Sequence, residues 1–313
     1  MVSKKMNGLT LSEQYFHEHG LPMILQSFPL HAQRMACGLV GDGSECFGFD
    51  DEISRDHDWG PGFCIWLTRE DYEDIAKDLI GKYERLPGTF LGYDSRIQSE
   101  WGNERIGVFE IGDFISRYIG YRSVPQNNEE WMIVPESALA AATNGKVFYD
   151  PLGEFSSIRN QLLQFYPDDV RIKKMAARCM TIAQSGQYNL ERCLKRGDQF
   201  SARYSETKFC VDVISLIFLM NRRYTPFYKW MNKALVALPR LGKEIHEKIN
   251  LLIQTLDSSL KLEIVEDICS MIIAELEAEG LTDSSSTFLL DHGPIIQNKI
   301  KDKELRERNV WIG

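Results

Sequence analysis

Two aspartates flank one histidine at Asp56-His57-Asp58, and a Gly43-Ser44 pair stands upstream, separated from Asp56 by eleven residues. In an extended strand successive side chains alternate faces, so this spacing puts Asp56 and Asp58 on one face and His57 on the other. At the usual strand rise the two carboxylates leave the backbone about 7 Å apart, close enough to converge on one hard cation and bridge to a second. An all-oxygen donor set selects Mg²⁺, with Mn²⁺ as the alternative, over zinc. Magnesium keeps waters and takes its other ligands from substrate phosphates, so the pair implies a phosphorylated substrate. Glycines let a backbone approach closely, and the amides of a turn together with a serine hydroxyl suit polyphosphate oxygens. Gly43 and Ser44 are therefore the expected phosphate contacts. Cradle and acid pair together describe phosphoryl or nucleotidyl transfer.

The elements around them read as mixed in the first half. Residues 11–19 and 30–37 have helical spacing, residues 36–44 run from an apolar strand into a turn, and residues 57–67 read as a strand rich in aromatic and β-branched side chains. Thr68 then caps a helix that carries acids in its first turn and ends before Pro87. A loop-rich stretch leads to a strand over Ile106–Ile111, and a helix closed by Asn144-Gly145 leads to the strand at 146–150. From Ser156 to Gly280 the periodicity is helical, with segments near 156–165, 168–185, 187–204, 206–222, 226–237, 240–257 and 259–279. The expected division is thus residues 1–155 and 156–313.

The Gly43-Ser44 and Asp56-His57-Asp58 spacing resembles the G-[GS]-x(9–13)-D-x-[DE] signature of the DNA polymerase β-like nucleotidyltransferase superfamily, which includes the aminoglycoside and lincosamide nucleotidyltransferases. That resemblance implies an α+β fold, with an N-terminal mixed sheet flanked by helices and a C-terminal all-α helical bundle. It also implies transfer of a nucleoside monophosphate from a nucleoside triphosphate, ATP in the first instance, to a hydroxyl acceptor with release of pyrophosphate. Asp56 and Asp58 would be the catalytic metal ligands. The superfamily carries a third carboxylate on a later strand, and Glu110 between Phe109 and Ile111 is the choice here, with Asp113 and Asp150 competing for the place. More narrowly, "GSECFGFDDEISRDHDWGP", "VFYDPLG", "SGQYNLERCLKRGD" and "NRRYTPFYKW" are similar to an uncharacterised bacterial and fungal family known only as a domain of unknown function.

The helical half offers cations for the phosphates. Lys229 and Arg223 are candidates to close over a triphosphate, against the plain reading of solvated charges at a helix start after Pro226. Arg192 and Arg196 share a helix face with Asn189 and are candidates to line a cleft between domains. Asp50 and Asp51 are read as turn formers, and His17 and His19, two apart on a helix, as surface residues.

Composition bounds the rest. With 36 basic and 45 acidic residues the net charge is -9, which disfavours non-specific nucleic-acid binding and favours a cationic small molecule, such as an antibiotic, or a protein as acceptor. The seven cysteines include no CxxC pair, as expected of reduced thiols, and no apolar run is long enough to span a bilayer. A cytoplasmic protein without a membrane partner is the expectation. A non-catalytic nucleotide-binding or toxin–antitoxin-type module is the competing class.

Overall fold

The computed structural model describes residues 6–55, 58–96 and 105–313, so Asp56 and His57 lie outside the described residues. Helix α1 (Gly8–Tyr15) opens on Asn7, whose side chain accepts the Thr10 amide, and passes through a π-helical turn, Phe16–Gly20, into α2 (Leu21–Ser27). The helical expectation for residues 30–37 fails. Only Ala32–Arg34 turns, as a 3-10 helix, and strand β1 (Ala36–Leu39) has already begun. All four residues of β1 are buried, and a short apolar run buried on both faces carries no period that separates helix from strand.

Strand β2 (Cys64–Leu67) follows, then α3 (Arg69–Tyr83), where Thr68 Oγ1 accepts the Asp71 amide as expected. A short hairpin, β3 (Thr89–Phe90) with β4 (Tyr93–Asp94), precedes β5 (Gly107–Glu110) and α4 (Ile111–Ile119). Then come α5 (Asn128–Ile133), α6 (Glu136–Thr143), β6 (Lys146–Tyr149) and α7 (Glu154–Leu163). After β6 every described regular element is helical. These are α8 (Asp168–Ile182), a π-helical continuation Ala183–Leu190, α9 (Glu191–Lys195), α10 (Gln199–Met220), α11 (Tyr228–Leu235), α12 (Gly242–Gln254), α13 (Ser258–Ala278), α14 (His292–Gln297) and α15 (Lys303–Glu307).

The main sheet has the order β5-β2-β1-β6, with β1 antiparallel to both neighbours and β2 parallel to β5. The protein is therefore a mixed-sheet α+β structure with a helical C-terminal half. Register decides what meets at each end of the sheet. Gly38 pairs with Cys64, Cys64 with Gly107, and Leu39 with Lys146. The exit of β1 thus lies beside the entrances of β2, β5 and β6. At the other end Leu67 pairs with Glu110, where α3 and α4 begin.

The alternation of β2 also builds two cores. Ile65 and Leu67 join Leu11, Phe16, Met35, Phe63 and Leu79 in one cluster. Trp66 faces the other way, stacks on Phe155 with ring centroids 3.8 Å apart and meets Phe114 edge-on at 5.2 Å.

The chain divides into two compact units, Met1–Pro125 with Ala138–Gln164, and Gln126–Ser137 with Phe165–Gly313. In the second unit α8 is the spine, packed by α5, α10, α14 and α15. Every residue from Asp212 to Met220 in α10 is buried, as a helix inside a bundle requires. Among the described residues no helix is long and apolar enough to cross a membrane.

Candidate active site

The loop at the exit of β1 is shaped by its glycines. Gly41 adopts φ +131, and a Cβ there would fall 2.3 Å from the Tyr118 hydroxyl, so only glycine fits. Asn144, just ahead of β6, clamps this turn from both sides: its Oδ1 accepts the Gly41 amide at 2.9 Å and its Nδ2 donates to the Gly41 carbonyl at 2.6 Å. Gly43 then caps a 3-10 turn, Ser44–Phe47. Among the described residues the amides of Ser44 and Glu45 donate to no acceptor, as in the first turn of any helix.

Beside that turn lies Asp58, but not on a strand. It sits six residues before β2 in a left-handed conformation, φ +53, which aspartate tolerates better than most residues. The alternation argument that paired Asp56 with Asp58 across one strand face therefore does not apply; Asp56 itself is outside the described residues. The Asp58 side chain is buried, with Oδ2 3.7 Å from Arg105 Nη1.

What joins the turn to Asp58 is Arg96. Its guanidinium is buried, and Nη1 donates both to Glu45 Oε1, at 2.6 Å, and to the Asp58 carbonyl, at 2.9 Å; Nη2 reaches Ser12 Oγ at 3.4 Å. Glu45 directly follows Ser44, so one nitrogen holds the glycine-serine turn and the aspartate loop together. Charge pairing sustains this buried link, because either ion alone would face a large desolvation cost. Glu45 has a second effect. Its carboxylate covers Gly43, where a Cβ would meet Oε2 at 2.5 Å, so the inner side of the expected phosphate cradle is filled by the chain's own acid.

Asp42 also belongs to this end of the sheet. Loss of hydration raises the pKa of its carboxyl, although the residue stands at the surface, and the Arg105 guanidinium opposes the rise. Burial, and after it the Asp42 charge, push the Tyr118 hydroxyl far above its ordinary value, so it stays protonated. Asp42, Arg96, Arg105 and Tyr118 are the members that sequence reasoning missed. Asp42 was visible between two glycines; the two arginines come from loop residues whose pairing depends on tertiary structure alone.

Glu110 is not brought to this end. It closes β5 and caps α4, with Oε2 accepting the Asp113 amide at 2.6 Å and Arg122 Nη2 at 2.6 Å. Tyr118, which touches Gly41, lies near the far end of the same helix, about 10 Å of helix rise away. The other candidates for the third carboxylate do no better. Asp113 pairs with Arg122 at the surface, and Asp150 accepts the Gly153 and Ser156 amides, each at 2.8 Å, to start α7. Asp50 binds the Gly8 amide and the Trp59 indole, a structural role.

The four predicted cations belong to the second unit. Arg223 and Lys229 are exposed, and Lys229 Nζ lies 5.0 Å from the ring of its neighbour Trp230. Arg192 rests on the Tyr188 ring at 4.0 Å, and Arg196 ends α9 at the surface. Asn189 lies in the π-helical stretch and not in α9, which changes its angular spacing to the two arginines.

Comparison with known proteins adds two matches. The family described as a domain of unknown function (DUF4037) matches residues 131–231. A crystal structure of a nucleotidyltransferase-like protein from Exiguobacterium sibiricum is similar at 11% identity and a TM-score of 0.38, over 95% of this chain and 80% of that one. No curated protein matches. At that structural score no residue role is carried across.

Among the described residues no three His, Cys, Asp or Glu side chains form a group able to hold a metal. Asp58 and Asp42 are carboxylates at this end of the sheet, and burial pushes the Cys46 and Cys64 thiols up, so oxygen and not thiolate is the donor type a cation would meet there. Glu110 stands at the opposite end of the sheet, where its Oε2 accepts the Asp113 amide and Arg122.

Proposed function

We propose that this chain is a metal-dependent nucleotidyltransferase, moving a nucleoside monophosphate from a triphosphate such as ATP to a hydroxyl on a small molecule or a protein. The supporting observation is the Arg96 link, which ties the glycine-serine turn to Asp58 through one guanidinium nitrogen. Asp58, with Asp56, would hold Mg²⁺ or Mn²⁺. Such an ion supplies charge neutralisation on the phosphate oxygens and helps align the acceptor. Ser44 offers its amide and hydroxyl to the phosphate tail. Asp42, with its raised pKa, is suited to take the proton from the attacking hydroxyl, a role that passes to it from Glu110. The net charge of -9 favours a cationic acceptor.

The competing reading is a module that binds nucleotide without catalysis; in both readings the Glu45 carboxylate, which covers Gly43, leaves the phosphate only the outer side of the turn. Pyrophosphate release separates the two. With the four ribonucleoside triphosphates, Mg²⁺ and a panel of hydroxylated amines and proteins, the transferase reading expects turnover that is lost in Asp58→Asn. Equal turnover in wild type and D58N refutes the site, and nucleotide binding with no release in any mixture supports the module.

A further inference from the structure

The helical unit holds a separate pocket of about 510 Å³, within the range of small-molecule sites. Its floor comes from α8 and α10, and its rim from residues 132–137 and the segment 225–228 that leads into α11. Most polar groups on the floor are committed to one another. Glu136 accepts Arg178 Nη2 at 3.2 Å, Ser215 Oγ at 3.0 Å and Thr225 Oγ1 at 2.6 Å. Asp212 pairs with Lys208 at 2.5 Å, and Arg178 Nη1 also donates to the Gly313 carbonyl at 3.2 Å.

Lys174 is the exception. It lines the pocket and is only 4% exposed, yet among the described residues its ammonium makes no hydrogen bond and no ion pair. Its Nζ lies 5.2 Å from the Tyr166 ring. Burial lowers its pKa, the Glu136 charge opposes that shift, and Arg178 adds to it. An ammonium on a nearly buried side chain, reached from the pocket and without a counter-ion, offers an arriving anion a partner in surroundings that screen charge weakly. The rim has the opposite character. Phe227 and Tyr228, with ring centroids 4.2 Å apart, are 51% and 74% exposed, and Ile133 is 71% exposed. Three large apolar side chains in water around a cavity with a charged floor form the two ends of an amphipathic binding site.

We propose that this pocket binds a small ligand whose anionic oxygen head, a phosphate or a carboxylate, pairs with Lys174 and whose planar ring packs on Phe227 and Tyr228. The site lies within the helical unit and does not depend on the nucleotidyl-transfer reading.

Calorimetric titration of the full chain tests it with phenyl phosphate, benzoate, inorganic phosphate and benzyl alcohol. Phenyl phosphate or benzoate should bind at least 10-fold tighter than benzyl alcohol, and the tighter of the two tells whether the natural head is phosphate or carboxylate. Lys174→Met should weaken both anions about 10- to 100-fold. Tyr228→Ala, at an exposed site that leaves the fold intact, should weaken the ring-bearing anions about 3- to 10-fold and leave inorganic phosphate unchanged. Asp58→Asn should bind the probes as wild type does. The proposal is overturned if neither anion binds better than benzyl alcohol, or if K174M binds as tightly as wild type. Should K174M fail to fold, equal affinity of Y228A and wild type for phenyl phosphate overturns it.

Discussion

The two ends of the main sheet treat their acids differently. At the end where β5 runs into α4, Glu110 uses one carboxylate oxygen, Oε2, both to cap a helix and to hold Arg122. At the end where β1 exits, Asp58 is buried on a left-handed turn, with the Arg105 guanidinium 3.7 Å from its carboxylate, and its main chain is pinned by Arg96. The two acids differ in backbone as well: Glu110 is extended at a helix cap, whereas Asp58 holds a left-handed conformation that costs backbone energy.

The largest expected effect falls on the link itself. Arg96→Met leaves Glu45 charged and alone in the interior, which should cost about 3 to 5 kcal/mol of stability. Adding Glu45→Gln should return most of it, as read from urea midpoints. If R96M is as stable as wild type, the two loops are not held by that ion pair. Next in size is Asp42→Asn. A base must be ionised to accept a proton, so wild-type activity should fall as pH drops through the raised Asp42 pKa, whereas D42N should lose about 10- to 100-fold at neutral pH and lose that acid limb. An unchanged limb in D42N assigns the base elsewhere.

Glu110→Ala sharpens the contrast from the other side. Loss of the α4 cap should cost about 1 kcal/mol, and activity should stay within about 3-fold of wild type. A loss of activity far beyond the loss of stability would return Glu110 to the reaction. The smallest effect concerns the thiols. Six of the seven cysteines are buried and only Cys193 is partly accessible, so a thiol reagent should modify one site rapidly in the native chain. Rapid modification of Cys37, Cys46 or Cys64 would mean that the sheet opens more readily than its packing implies.

Much of this fold was legible. Thr68 capping α3, Asn144-Gly145 ending a helix before β6, and the long helical run after residue 153 all followed from caps and period. Residues 30–37 misled because a single 3-10 turn, Ala32–Arg34, has the short-range spacing of a helix but goes no further before β1 begins. In the candidate site, Gly43, Ser44 and Asp58 were legible as a spaced motif, and Arg96 links Glu45, the residue after Ser44, to the Asp58 carbonyl. The strand geometry assumed for Asp58 was not, because nothing local in "RDHDWG" announces a left-handed residue. Glu110 misled for a related reason: a glutamate at the end of an apolar strand is also a helix cap, and only the helix that follows distinguishes the two. Lys174, in the midst of an ordinary amphipathic helix, gave no signal that its side chain would be nearly buried and line a pocket.

The central claim is that the Asp58 end of the sheet, and not the Glu110 end, takes the metal-bound triphosphate. Titration of Mn²⁺ with ATP onto the protein, followed by water-proton relaxation, measures this directly. The account predicts a ternary complex in wild type and in Glu110→Gln, and its loss in Asp58→Asn. A complex that survives in D58N and disappears in E110Q would contradict it.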